Sequence, residues 1–311
     1  MAIRAQGAAN TDRELRTLFV VGAPRCGTTF VAKLLARHPQ VCFSKPKETH
    51  FFARTRGAIS PPAYLRRYHP HLRAGHRLLA EGSPSSLYDP EALRRILSLD
   101  PEARFVVCVR NPVEMASSYH ARMLYTLDEE VRDFAEAWSL QPARARGERI
   151  PRRCRDPRML QYAAICRVGG QLERVLGVLE RERLFVTVFD DLVDDPVKMY
   201  RRLLDFAGLD YDGRTAFAPR NRHREFESAR LQSYLMNPPR PIAAWLDGWE
   251  RRGWGRPSGY RWLRKRLKSW NTRRTERPPL APSMRETLRA AFAADVERLS
   301  DLLGRDLSHW Q

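Results

Sequence analysis

Residues 17–29 read TLFVVGAPRCGTT, and the fold of the chain is decided here. TLFVVG at 17–22 is a short apolar run that stops at a glycine, the pattern of a buried strand. The residues that follow the loop, TTFVAKLLARHP, carry helical spacing, so the unit is strand, loop, helix. In that context the backbone N–H groups at the helix N-terminus cradle a phosphate, and Gly22 and Gly27 permit close approach of the backbone. The spacing is that of G-x-x-x-x-G-K-[ST], but Thr28 stands where the lysine would be. The side chain that reaches the outer phosphates of a nucleoside triphosphate is therefore missing, and Arg25 is the candidate replacement cation. A glycine-containing turn with no ligand is the plainer alternative.

The same unit recurs along the chain. RFVVCVR at 104–110 reads as a second buried strand, and Pro112 sits well at the first position of the helix EMASSYHARML. LFVTVFDDL at 184–192 reads as a third, followed by Pro196 and the periodic stretch VKMYRRLLDFAGL ending near Gly208. Strands alternating with helices predict an α/β, P-loop-like, three-layer fold with a central parallel sheet flanked by helices. The last helix is signed by Ser283 and Glu286 as a capping box and by apolar residues from Met284 to Leu303. Residues 17–311 are expected to form a single domain after an N-terminal tail, 1–16. Within it, 212–282 shifts to Arg, Trp and Pro and is expected to be a helical or loop elaboration, a variable acceptor or lid region. Residues 140–158 and 251–277 are basic, turn-rich and expected to be surface loops.

The second strand ends in Arg110, where a P-loop ATPase or kinase usually places an acid for Mg²⁺ on or near a core strand. A cation there holds an anion directly through bidentate hydrogen bonds, without a metal. Ser118 lies eight residues on, about two helical turns, and is expected to converge with Arg110 on one phosphate. A strand-end surface charge and a neutral helix-surface serine are the alternatives.

The chain has 55 Lys and Arg against 36 Asp and Glu, a formal net charge of +19. That field favours phosphate, sulfate, acidic glycans, nucleic acid or anionic lipid without choosing among them. Five scattered Cys at 26, 42, 108, 154 and 166, with no metal-type spacing, read as reduced and intracellular. With no apolar leader before Leu18 and no run of about 18 apolar residues, a cytoplasmic protein is the expectation.

Both motifs, in this order, resemble those of sulfotransferases that use 3′-phosphoadenosine 5′-phosphosulfate (PAPS). The Gly22 to Thr29 loop resembles the family's 5′-phosphosulfate loop, and VVCVRNPVEMASSYH resembles its 3′-phosphate motif. HPQVCFSKPKETHFF at 38–52 is similar to the Glu-x-His-Phe-Phe element of the heparan sulfate and bacterial branch. LAEGSPSSLYDPEA at 79–92, FDDLVDDP at 189–196 and the ending LSDLLGRDLSHW also look like that branch. The resemblance implies PAPS as cosubstrate, no metal, and contacts from Arg25, Cys26, Gly27, Thr28, Thr29, Arg110 and Ser118. It makes Glu48 the candidate base for an acceptor hydroxyl, with His50 its rival, and Arg25, Lys45 or Lys47 and the Gly27 to Thr29 amides the available donors to the sulfuryl oxygens; a solvated charge cluster beside a packed histidine is the plainer alternative. In two places the chain departs from the family: Arg25 stands where lysine is common in the loop, and Gly82 follows Glu81 where the branch carries lysine. Lys47 is the candidate to replace that lost cation. Arg273 and Arg274, in a basic turn before the last helix, are implied cofactor contacts, with two solvated arginines as the alternative.

The stretch 251–277 holds eleven Arg or Lys and one acid, and five of the seven Trp lie in or beside it. Leu263, Leu267 and Trp270 are spaced as on a basic amphipathic helix, suited to sugar rings, an aromatic acceptor or peripheral contact with a membrane. The expected acceptor is a hydroxyl-bearing glycan, lipid or secondary metabolite, not nucleic acid. A P-loop kinase-like enzyme and a polyanion-binding protein are the alternatives, the latter marked by steeply salt-dependent binding.

Overall fold

The computed structural model describes residues 15–54, 59–217, 223–251, 257–275 and 279–311. In chain order the elements are β1 (Arg16–Gly22), α1 (Thr28–Ala36), β2 (Val41–Phe43), α2 (Phe51–Arg54), α3 (Pro61–Tyr68), β3 (Leu78–Glu81), α4 (Pro90–Leu99) and β4 (Arg104–Val109). They continue with α5 (Pro112–Thr126), α6 (Phe134–Ser139), α7 (Gln141–Ala145), α8 (Tyr162–Cys166), α9 (Val168–Leu176), β5 (Leu184–Val188), α10 (Phe189–Asp194) and α11 (Pro196–Ala207). The last are β6 (His223–Phe226), α12 (Ala229–Met236), α13 (Arg240–Arg251), α14 (Ser258–Trp270), β7 (Thr272–Thr275) and α15 (Pro282–Leu303).

The chain divides into two compact units. The first contains the sheet, in the order β2-β3-β1-β4-β5. Every pairing in it is parallel, as the repeated strand, loop, helix units require. Six of the seven β1 residues and five of the six in β4 are buried, which is why both strands read as unbroken apolar runs. At the start of β1, Thr17 donates to buried Asp100 at 2.7 Å. Asp295 on α15 accepts from the N–H groups of Gly169 and Gly170, each at 2.9 Å, and so ties down the N-terminal turn of α9. Gly208 closes α11 with φ 66°, the left-handed cap that its place after the periodic stretch predicts.

The second unit contains most of α5, then α6, α7, α12 to α14, and the antiparallel pair β6 and β7. A fully buried ion pair organises it: the Arg144 guanidinium donates to both Glu129 oxygens at 2.6 and 2.8 Å, and the Tyr162 hydroxyl donates to Glu129 at 2.6 Å. Buried Asn271 donates to Gln232 at 3.2 Å, and Gln232 donates to the Tyr125 carbonyl at 2.6 Å. Among the described residues no helix is long and apolar enough to cross a membrane.

Four local expectations change. Residues 140–158 are not simply surface loops: α7 lies there, and its Arg144 is 2% exposed because Glu129 compensates its charge. The third strand ends at Val188, and FDDLVD turns directly into α10 with Asp190 and Asp191 in its first turn, where the helix dipole favours acids. Ser283 lies inside α15 instead of capping it, since the helix opens at Pro282 and the Arg285 N–H bonds the Ala281 carbonyl. Arg16, the last residue of the expected tail, opens β1, while residues 1–14 lie outside the described residues.

Candidate active site

The phosphate loop leaves β1 and enters α1 in a strained conformation. Arg25 has φ 68° and Gly27 has φ 98°, both in the left-handed region. Glycine is required at 27, because an added Cβ would also lie 2.5 Å from Leu192 Cδ1. At Gly22 an added Cβ would meet Leu87 at the same distance. Gly27 is the N-cap of α1 and supplies no side-chain capping bond, so the first-turn N–H groups of Thr28 and Thr29 are offered outward to an anion. No acidic residue stands in that first turn.

Cys26 contributes differently. Its thiol is fully buried against Met115 Sδ at 3.5 Å, and burial pushes its pKa up to about 12 despite Arg110 and Arg25 nearby. Its N–H bonds the Ala23 carbonyl at 3.3 Å. Cys26 thus shapes the loop and is no nucleophile.

Arg110, at the end of β4, is tied to this loop. Its Nη1 donates to the Arg25 carbonyl at 3.4 Å, its guanidinium lies 4.4 Å from the Phe189 ring centroid, and Glu114 is 3.9 Å away. Ser118 lies on α5 and is 1% exposed. Arg273 is exposed on β7 opposite Glu225, and Arg274 pairs in register with Arg224. Ser118, Arg273 and Arg274 belong to the second unit.

The three catalytic candidates come together on the segment between β2 and α2. Lys47 Nζ is 2.8 Å from Glu48 Oε1 and 3.4 Å from Thr29 Oγ1, so it bridges the carboxylate to the phosphate loop. His50 Nε2 is 3.5 Å from the other Glu48 oxygen. The far nitrogen of that ring, Nδ1, is 2.8 Å from Ser85 Oγ, and the His50 N–H donates to Ser83 Oγ at 2.8 Å. With φ 51° His50 is held against its backbone preference by these contacts. Burial pushes the Glu48 carboxyl up, but the hydrogen bond from His50 and the Lys47 ammonium outweigh it and bring its pKa to about 2.

A second carboxylate supports this cluster, and sequence reasoning did not select it. Glu81, at the end of β3, is 2% exposed. Burial raises its pKa, opposed by hydrogen bonds from Ser83 and Thr49, residues that also frame His50. The LAEGSPSS stretch contained the signal, an acid at a strand end followed by serines. Gly82 next to it explains the position of Lys47: an added Cβ there would lie 3.2 Å from Lys47 Cε and 3.3 Å from Phe43 Cζ. The lysine stem packs closely over the glycine, and a larger residue there would have to displace it by a few tenths of an ångström.

Beside this cluster opens a cavity of about 610 Å³ whose lining includes Thr29, Lys33, Lys45, Lys47, His71 and Arg73 and, among the described residues, no carboxylate. A basic trough thus adjoins the carboxylate, the bridging lysine and the first turn of α1.

Comparison with known proteins identifies the fold and the family. The solved structure of a sulfotransferase from Alicyclobacillus acidocaldarius shares the fold, with a TM-score of 0.65 at 24% identity over 96% of this chain and 99% of that one. Heparan sulfate glucosamine 3-O-sulfotransferase 6 of Homo sapiens is 34% identical over 114 residues, 36% of this chain and 32% of its own. Membrane-associated sulfotransferase kil1 of Dictyostelium discoideum is 27% identical over 108 residues, 34% of this chain and 23% of its own. The chain thus spans about a third or less of these two relatives. The model of the sulfotransferase domain matches residues 15–237, and the chain belongs to the sulfotransferase family.

Proposed function

We propose that this protein transfers a sulfuryl group from PAPS to a hydroxyl of an acidic glycan. The observation that carries this reading is the Lys47 bridge, 2.8 Å from Glu48 and 3.4 Å from Thr29, which links a carboxylate to a phosphate-type loop. The loop suits the donor: an uncapped helix N-terminus, left-handed Gly27 and nearby Arg25 and Arg110 all favour an anion. When bound, the donor supplies an electrophilic sulfur and a phosphate leaving group. The acceptor oxygen then forms a bond to sulfur, the bond from sulfur to the 5′-phosphate oxygen breaks, and the hydroxyl proton passes to Glu48.

At a pKa of about 2 the Glu48 carboxylate is ionised throughout the working range, yet a weak base. Lys47 is one of the groups that hold it there. Held beside the loop, the ammonium shares its charge with the sulfuryl oxygens when the donor is bound, which weakens its hold on Glu48, raises the carboxylate's proton affinity and stabilises the charge that develops on the transferring group. His50, fixed through Ser83 and Ser85, orients the carboxylate. Arg110 with Ser118 for the 3′-phosphate, and Arg273 with Arg274 as further donor contacts, are assigned by their motifs.

The acceptor class rests on the basic cavity and on the glycan named in one relative. The test is transfer of labelled sulfate from PAPS to a panel of heparan sulfate fragments, neutral oligosaccharides, phenols and sterols. Label is expected in the acidic fragments; label confined to phenols or sterols would overturn the acceptor class, and no transfer to any of them would count against the enzyme reading.

A further inference from the structure

The second unit carries a surface that the sulfuryl-transfer reading leaves unused. No residue of α14 is buried. Trp262, Leu263 and Trp270 on it are 60%, 49% and 71% exposed, and Trp245 on α13 is 48% exposed. At the α-helical repeat, Trp262, Arg266, Trp270 and Leu263 fall within one sector of about 100°. The opposite sector anchors the helix, with Arg264 donating to the Leu235 carbonyl at 2.9 Å and Leu267 half-buried. The usual amphipathic arrangement is therefore reversed, because large apolar side chains point to water while the helix is held by its other side.

Charge specifies what would cover this face. Residues 257–275 include seven Arg or Lys and no acid. Lys265 lies beside the apolar sector, Arg261 is exposed further round the helix, and the Arg266 guanidinium lies 5.4 Å from the Trp262 ring centroid. We infer that α14 docks this protein on an anionic lipid bilayer, lying in the interface with Trp262, Leu263 and Trp270 at the level of the headgroups and its basic residues against their phosphates. Indole rings are amphipathic and favour that depth, and basic residues beside them add attraction to anionic lipid. A polyanion in solution, nucleic acid or glycan, would satisfy the arginines yet leave Leu263 and the tryptophan edges wet, so the bilayer accounts for more of the surface.

The test is co-sedimentation of the full chain with vesicles of phosphatidylcholine containing about 30% phosphatidylserine, with tryptophan emission read in parallel. Vesicle binding with a blue-shifted emission is expected, together with roughly tenfold or greater weakening in the Trp262→Ser, Leu263→Ser, Trp270→Ser triple variant. Lys265→Glu with Arg266→Glu should weaken binding to anionic vesicles to a similar degree. Because the replaced side chains are exposed, both variants should keep the helical circular-dichroism signal and the affinity for 3′-phosphoadenosine 5′-phosphate. Equal vesicle binding by the wild type and the triple variant would overturn the inference. So would no vesicle binding by a folded wild type, or binding to heparin or single-stranded RNA in preference to vesicles.

Discussion

Two cation-rich regions of this chain are built in opposite ways. Around the phosphate loop two cations are tethered: Lys47 to Glu48 and Thr29, and Arg110 to the Arg25 carbonyl and the Phe189 face. Along α14, Arg261, Lys265 and Arg266 stand exposed on a helix with no buried residue. Tethered charge recognises an anion by geometry, because its orientation is fixed before the ligand arrives. Exposed charge acts through its field and is screened by salt, so it selects for charge density and extended area. The +19 of the chain is thus two different devices, and composition alone could not separate them.

The largest effect should come at the tethered end. Replacing Glu48 with Gln should lower turnover by about 10² to 10⁴ while leaving affinity for 3′-phosphoadenosine 5′-phosphate nearly unchanged, as steady-state rates and calorimetry will show. An unchanged rate would move the proton to His50. The pH profile sharpens the same distinction. A carboxylate base with a pKa of about 2 keeps kcat/KM for PAPS flat well below pH 4.5, and an acid limb above that pH would count against Glu48. The linked stability has a definite sign: with its folded pKa depressed from 4.5 to about 2, Glu48 favours the folded state above pH 4.5 and loses that contribution as pH falls toward 2.

Next in size is Arg144. Arg144→Ala leaves Glu129 charged, buried and half-satisfied, and should cost about 3–5 kcal/mol in denaturant unfolding. Lys265→Ala on exposed α14 should change stability by no more than about 0.5 kcal/mol. If the two cost the same, the contrast between tethered and exposed cations fails. Gly27→Ala is expected to have a smaller effect than Arg144→Ala, about 1–3 kcal/mol, from a left-handed φ of 98° and the contact with Leu192. It should also weaken binding of 3′-phosphoadenosine 5′-phosphate, since it distorts the loop that presents the α1 N–H groups.

What could be read from the residues was whatever they encode locally. TLFVVG and RFVVCVR are visible because strands buried on both faces need unbroken apolar runs, and Pro112 and Gly208 punctuate the helices they bound. The lysine, glutamate and histidine of the candidate site share one short segment, so their proximity was also legible. Contacts across long stretches of chain were not. Arg144 looks solvent-exposed in its sequence and is buried only because Glu129, fifteen residues away, meets it. Glu81 becomes part of the site because Ser83 and Thr49 bring it to the frame of His50, and the role of Gly82 is clear only once the Lys47 stem is seen against it. The reversed face of α14 was hidden as well, because periodicity marks an apolar sector without saying which way it points.

The most direct test of the central claim is calorimetric titration of the purified protein with 3′-phosphoadenosine 5′-phosphate in the absence of Mg²⁺, with ATP and 5′-AMP as controls. The account predicts micromolar binding of the 3′-phosphorylated nucleotide, with ATP and AMP much weaker and Gly27→Ala impaired. No binding, or a preference for ATP that appears only with Mg²⁺, would contradict it.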